Sequence, residues 1–250
     1  SYINYNRQST PNIPDVQYGP NSMIYNITLW AGADWSMDDM RNYWKPGKVG
    51  VESIYAEYQR YHNPYFMAYE GLRCHNKNVV NGNLKLTYKL NKNFDFLVRM
   101  QVTTYDMLRT EKMPYSAHPY GREEGKGDYR EDRRAMFENN TDALITYQNG
   151  HVYKDISVRA SVGGNIRSFK YNSSFTTTDY LNVPGLYAFS NSRNPIRSSS
   201  YRADMLVLSG YGYLDIGFSK YANLSLTGRY DKLSTLPDGN NLYFYPSASL

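Results

Sequence analysis

Apolar and polar positions alternate without interruption from Asp155 to Arg167, where Ile156, Val158, Ala160, Val162, Gly164 and Ile166 interleave with Ser157, Arg159, Ser161, Asn165 and Arg167. Successive strand side chains point to opposite faces, so this segment predicts a strand that separates an apolar medium from an aqueous one along its whole length. The pattern returns in Leu84, Leu86, Tyr88 and Leu90, and again in Phe94, Phe96, Val98, Met100 and Val102, each set interleaved with polar residues. Only Asn91, Lys92 and Asn93 separate these two runs, which predicts a tight hairpin. Residues 142–148 and 153–167 form a second pair through Asn149 and Gly150, and residues 205–217 and 224–231 a third through 219–223.

Between the hairpins lie residues 106–140 and 170–202, rich in Tyr, Ser, Asn, Gly, Pro and charge and without sustained periodicity. Long structureless connections count against a compact soluble sandwich. Short turns at one end and long loops at the other are the habit of outer-membrane barrels, whose strands need only one apolar face. The expected fold is therefore all-β, an antiparallel transmembrane β-barrel with long extracellular loops. Residues 1–68 are expected to be mostly extracellular loop, with a short helix near 37–44, and residues 69–250 to supply strands and long loops of the same domain.

Composition bounds this picture without changing it. The chain has 250 residues, 41% hydrophobic and 16% aromatic, with 27 Tyr and 3 Trp. Mean hydropathy is −0.68. No run of roughly 18 apolar residues occurs, which excludes transmembrane helices but not membrane strands. The net charge of +5 comes from 28 Lys and Arg interleaved with 23 Asp and Glu rather than from a basic stripe, so no nucleic-acid partner is expected. Cys74 is the only cysteine and cannot form an intramolecular disulfide. Residues 1–20 are polar and lack the apolar core of a signal peptide, as expected of an internal piece of a longer polypeptide.

Candidate chemistry is sparse. His62, His75, His118 and His151 show no metal-ligand spacing. The acids Glu123, Glu124, Asp128, Glu131 and Asp132 could collect calcium, but Arg122, Lys126, Arg130, Arg133 and Arg134 lie among them and favour a self-neutralised, solvated loop. No catalytic residue, metal site or cofactor is predicted, and the chain is expected not to be an enzyme. A β-rich glycan-binding module or glycoside hydrolase domain, soluble or surface-attached, is the alternative.

Five strings carry a resemblance to a known family: DDMRNYWKPGKVGV at 38–51, NPYFMAYE at 63–70, GGNIRSFKYNSS at 163–174, DYLNVPGLYAFSNSRNP at 179–195 and LTGRYDKLSTLPDGNNLYFYPSASL at 226–250. In this order they resemble the SusC/RagA family of TonB-dependent outer-membrane transporters. The resemblance implies a partial arc of a roughly 22-stranded barrel with a plugged lumen. It also implies a SusD-like surface lipoprotein as lid, an oligosaccharide or peptide substrate, energy relayed by TonB through segments outside this sequence, outer-membrane lipid around the barrel, and localisation in the bacterial outer membrane. Tyr230 and Lys232 depart from the family pattern, where an Asn and a Trp are usual around the RxD of this segment.

Two sets of residues are candidates within that frame. Met37, Met40 and Trp44 would share a face of the short helix that Ser36 caps, either packing the loop onto its own barrel or docking the lipoprotein. Tyr115, Tyr120, Tyr180 and Tyr187 are loop aromatics that could stack on sugar rings or contact peptide, with self-packing of the loops as the competing role.

Overall fold

Alternation becomes strand pairing in the computed structural model, which describes residues 1–11, 21–30, 32–57, 61–118, 123–153 and 155–250. Among these, eight strands form one antiparallel sheet: β1 (Tyr2–Thr10), β4 (Leu72–Lys89), β5 (Phe94–Met113), β6 (Asp128–Tyr153), β7 (Ile156–Leu181), β8 (Ser192–Phe218), β9 (Ala222–Leu233) and β10 (Leu242–Ser249). They lie in that order, each beside the next, with β1 and β10 at the edges. β2 (Tyr55–Glu57) and β3 (Tyr61–His62) pair separately as a ribbon. Two short helices, α1 (Met23–Tyr25) and α2 (Pro64–Glu70), lie in the segment between β1 and β4.

Connections alternate in length. β4 to β5, β6 to β7 and β8 to β9 turn tightly at one end of the sheet, whereas residues 11–71, 114–127, 182–191 and 234–241 connect strands at the other. The strands are longer than the alternating runs. β6 and β7 have 26 residues each and β8 has 27, so much of 106–140 and 170–202, expected to be loop, is strand. The second hairpin also turns later than Asn149 and Gly150. β6 continues to Tyr153, with Asn149 still paired to Val158 and a register irregularity between Asn149 and Tyr153, so Gly150 lies in the irregular stretch and not at the turn. Residues 2–10, expected within the N-terminal loop, pair with β4 from Tyr2 opposite Asn83 to Thr10 opposite His75.

The helix expected near 37–44 shrinks to one 3-10 turn, Asp39–Arg41. Its N-cap is Asp38, which makes no side-chain cap bond; Ser36, ahead of the cap, accepts from the Asp39 N–H through its Oγ at 3.3 Å. Beyond it the chain extends, because Trp44 bridges to Ser53 and turns its ring onto Phe66. α2 shows what that helix lacks: Asn63 accepts from the N–H groups of Tyr65 and Phe66, and Pro64 opens the first turn.

Register sorts the sheet into two faces. Tyr88, Phe96, Ile145, Val162, Gly212 and Gly228 are successive partners on one. Lys85, Arg99, Asp142, Asn165, Ser209 and Asp231 are successive partners on the other. The first face is apolar only over the half nearer the tight turns. From the row Asn78, Asp106, Ala135, Asn172 and Arg202 upward it mixes polar with apolar groups.

Candidate functional site

Burial across the sheet is inverted relative to a soluble protein. On the apolar face Val162 is 71% exposed, Leu86 60% and Ile166 50%. On the polar face Asp142 and Ser161 are 7% exposed. The buried apolar side chains among the described residues, Phe66, Met67, Met113, Ala117 and Leu181, lie at the long-connection end.

Hydrogen bonds across strands make the polar face continuous. Asp142 accepts from Arg99 Nη2 at 2.9 Å and from the Tyr211 hydroxyl. Arg167 Nε donates to Glu138 at 2.7 Å, Thr146 and Ser161 share a 3.0 Å hydroxyl contact, and Arg229 bridges Asp231 and Ser209. Gly163 permits part of this: a β-carbon there would lie 2.9 Å from Tyr211 Cε2 and 2.5 Å from the Ala143 carbonyl. The Tyr211 ring occupies that space, and its hydroxyl reaches Asp142.

At the long-connection end the segment between β1 and β4 packs on residues 113–118. Phe66, Met67, Met113 and Ala117 form the centre, with Met23, Tyr43 and Trp44 against it. His62 and His118, scattered in sequence, come together with ring centroids 5.4 Å apart beside the Tyr55 ring. His62 is fully buried, and its Nε2 accepts from the His118 backbone N–H at 3.2 Å. Burial pushes its pKa down to about 3, helped by His118, so it is neutral. Asn26 Nδ2 donates to the His62 carbonyl and Asn21 Nδ2 to that of His118. Nothing local in the sequence links these residues; tertiary packing alone does.

The three docking candidates do not share one face. Trp44 sits edge-on to Phe66 at 5.3 Å inside the loop cluster. Met40 is half-buried, its carbonyl accepting from Asn63 Nδ2 at 2.9 Å, and Met37 is exposed. Of the tyrosines, Tyr120 lies outside the described residues. Tyr115 is half-buried between buried Pro114 and Ser116. Tyr180, in a left-handed conformation at φ +63°, accepts from the Glu124 N–H at 3.3 Å. Tyr187 packs 6.4 Å from the Tyr129 ring with Lys112 Nζ 5.5 Å from its centroid, and burial raises its pKa to about 12 with help from Glu70. Tyr180, expected in a loop, is thus in β7 and ties the connection from β5 to β6 to that strand, while Tyr187 packs its own connection onto β5 and β6.

The acidic run is neutralised as expected, but by a different element. Glu124 pairs with Lys126 in the connection from β5 to β6 and with Arg193 at the start of β8. Asp128 with Arg130, Glu131 with Arg133 and Asp132 with Arg134 pair along β6, since residues two apart share a face. Arg122 lies outside the described residues.

No protein-family model and no curated protein matches the sequence. Solved structures do match the fold. The RagAB peptide transporter aligns at a TM-score of 0.68 and 17% identity over 80% of this chain. The RagAB peptide importer in its open-open and closed-closed states aligns at 0.68 as well, with 17% and 16% identity. This chain spans 22% of the length of the chains it matches. The likeness is one of fold.

Proposed function

We propose that this chain is an arc of an outer-membrane transport barrel, its apolar face against lipid and its polar face toward the lumen. The observation that carries the proposal is the inverted burial: large apolar side chains exposed in register across strands, polar ones covered behind them. The apolar stretch from Ile156 to Ile166 rises roughly 36 Å at about 3.3 Å per residue, hence about 25 Å of height on a 45° tilt, the depth of an outer-membrane apolar band. The alternation of tight turns with long connections supports the same orientation. So does the likeness to RagAB, together with the resemblance to the SusC/RagA family.

On this reading the whole protein is a TonB-dependent importer that takes up peptides or glycans beneath a SusD-like lipoprotein. The chain's residues line the conduit and hold the loop cap, and no enzymatic step is assigned to them. The test substitutes arginine on each face of the full-length protein. Val162→Arg should destabilise by about 2–4 kcal/mol near the bilayer midplane. Thr87→Arg, exposed on the polar face, should cost far less. Equal costs on unfolding from lipid vesicles, or a full-length protein that stays soluble without detergent, would overturn the reading.

A further inference from the structure

A furrow crosses the apolar face. Ala143, Gly164, Gly210 and Tyr230 are successive partners from β6 to β9. With so little side chain along this row, a depression of about 500 Å³ opens, walled by Ile166, Leu208, Tyr230 and Leu242.

Glycine inside a strand gives up a packing side chain and adds backbone entropy to the unfolded state, so it needs a reason. Gly163 has one in the Tyr211 ring. Gly210 has neither of the usual ones. It is not among the glycines of positive φ, and a β-carbon there would meet nothing within 4 Å. A strand glycine with free space above it marks a place where another molecule approaches the backbone.

The rim indicates which molecule. Lys232 lies between Leu208 and Leu242 in register, exposed and without an ion pair among the described residues. Its row on this face continues through Ile166 and Thr141, with no acid to neutralise it. A second copy of the chain seated here would cover an unpaired ammonium. An acyl chain would fill the bare strip, and a phosphate above it would meet the lysine.

We propose that the furrow between β6 and β9 binds one acyl chain of an anionic, phosphate-bearing membrane lipid whose phosphate is held by Lys232, with phosphatidylglycerol as the probe. The site rests on the membrane orientation proposed above. To test it, the full-length protein is stripped of lipid, placed in nanodiscs of equal parts phosphatidylglycerol and phosphatidylcholine, and released for native mass spectrometry. The wild type should retain phosphatidylglycerol about fivefold over phosphatidylcholine, the factor one lysine is worth at an anionic surface. Lys232→Gln should bring the two to parity, and Gly210→Leu, which fills the furrow, should abolish retention of both. Leu86→Ala, on the same face but outside the furrow, should change neither. Heat-modifiable mobility establishes that each variant has assembled, with Gly210→Ala as the milder filling where Gly210→Leu fails. Equal retention of the two lipids by the wild type, undiminished retention by the assembled Gly210 variant, or a Gly210→Cys disulfide joining two copies in the membrane would overturn the proposal. An embedded protein with any of these results loses only the lipid site, whereas a protein soluble without detergent loses the membrane orientation too.

Discussion

Single side chains in this protein are sorted by what covers them, and His62 is the sharpest case. Its imidazole is neutral because burial penalises the charged form, and its Nε2 is already used as an acceptor by the His118 backbone. The folded pKa of about 3 lies below the ordinary 6.5, so the opened loop cluster binds a proton more readily than the closed one. The stability that His62 contributes is therefore complete above pH 6.5 and is lost as pH falls from there toward 3. His118, also lowered by burial, adds to the same slope. Hydrogen-exchange protection factors at Ser116 and Ala117 in the full-length protein, taken against the intrinsic rate at each pH, should fall through that window. His62→Gln, which keeps an acceptor, should flatten most of the dependence. Protection unchanged between neutral pH and pH 4 would refute this account.

Strands were legible from the sequence only where their two faces meet different media. In the lower half of β5, Phe96, Val98 and Met100 share one face and Arg99 and Gln101 the other, so alternation is plain. In its upper half Asp106, Leu108 and Thr110 oppose Tyr105, Met107 and Arg109, and both faces mix polar with apolar groups. No period survives there, which is why residues 106–113 resemble a loop until strand pairing is seen. β1 hides for the same reason, with Asn4, Asn6 and Gln8 alternating against Tyr5, Arg7 and Ser9. The candidate site was less legible than the sheet, since the meeting of His62 with His118 depends wholly on tertiary packing. Ion pairs hold what apolar burial cannot in the upper strands. Glu111 accepts from Arg73 Nε at 2.8 Å and lies 3.8 Å from Arg130 Nη1, all three side chains largely covered. Removing the shared carboxylate leaves two guanidiniums facing each other, so Glu111→Ala should cost about 2–3 kcal/mol. The loss should appear as faster exchange in the upper halves of β4, β5 and β6 while the apolar band stays protected. Uniform loss down the whole strands would mean that the two halves are not separable.

For the molecule as a whole, the proposed function and the alternation of tight turns with long connections predict an orientation, with the long connections outside the cell and the tight turns in the periplasm. Glu123 is exposed in the connection from β5 to β6 and Tyr221 in the turn from β8 to β9. Gly125 would be a poor site for a probe, because a β-carbon there falls 2.8 Å from the Ser116 carbonyl. In a full-length protein with Cys74 replaced, Glu123→Cys should react with an impermeant maleimide on intact cells and Tyr221→Cys should not; the reverse would invert the topology. The outer end is also where a lid would seat, and there the packing separates two roles that the sequence left together. Trp44 is built into the loop cluster against Phe66, so Trp44→Ala should loosen that cluster by about 1–3 kcal/mol and disturb a lid only indirectly. Met37 is exposed and is not among the residues packed on that cluster, so under the proposed function it is the docking candidate that remains. Met37→Asp should then weaken co-purification of a SusD-like lipoprotein while leaving exchange at Phe66 and Ala117 unchanged. If Met37→Asp leaves the lipoprotein bound and Trp44→Ala alone releases it, the lid reads the shape of the cluster and not this methionine.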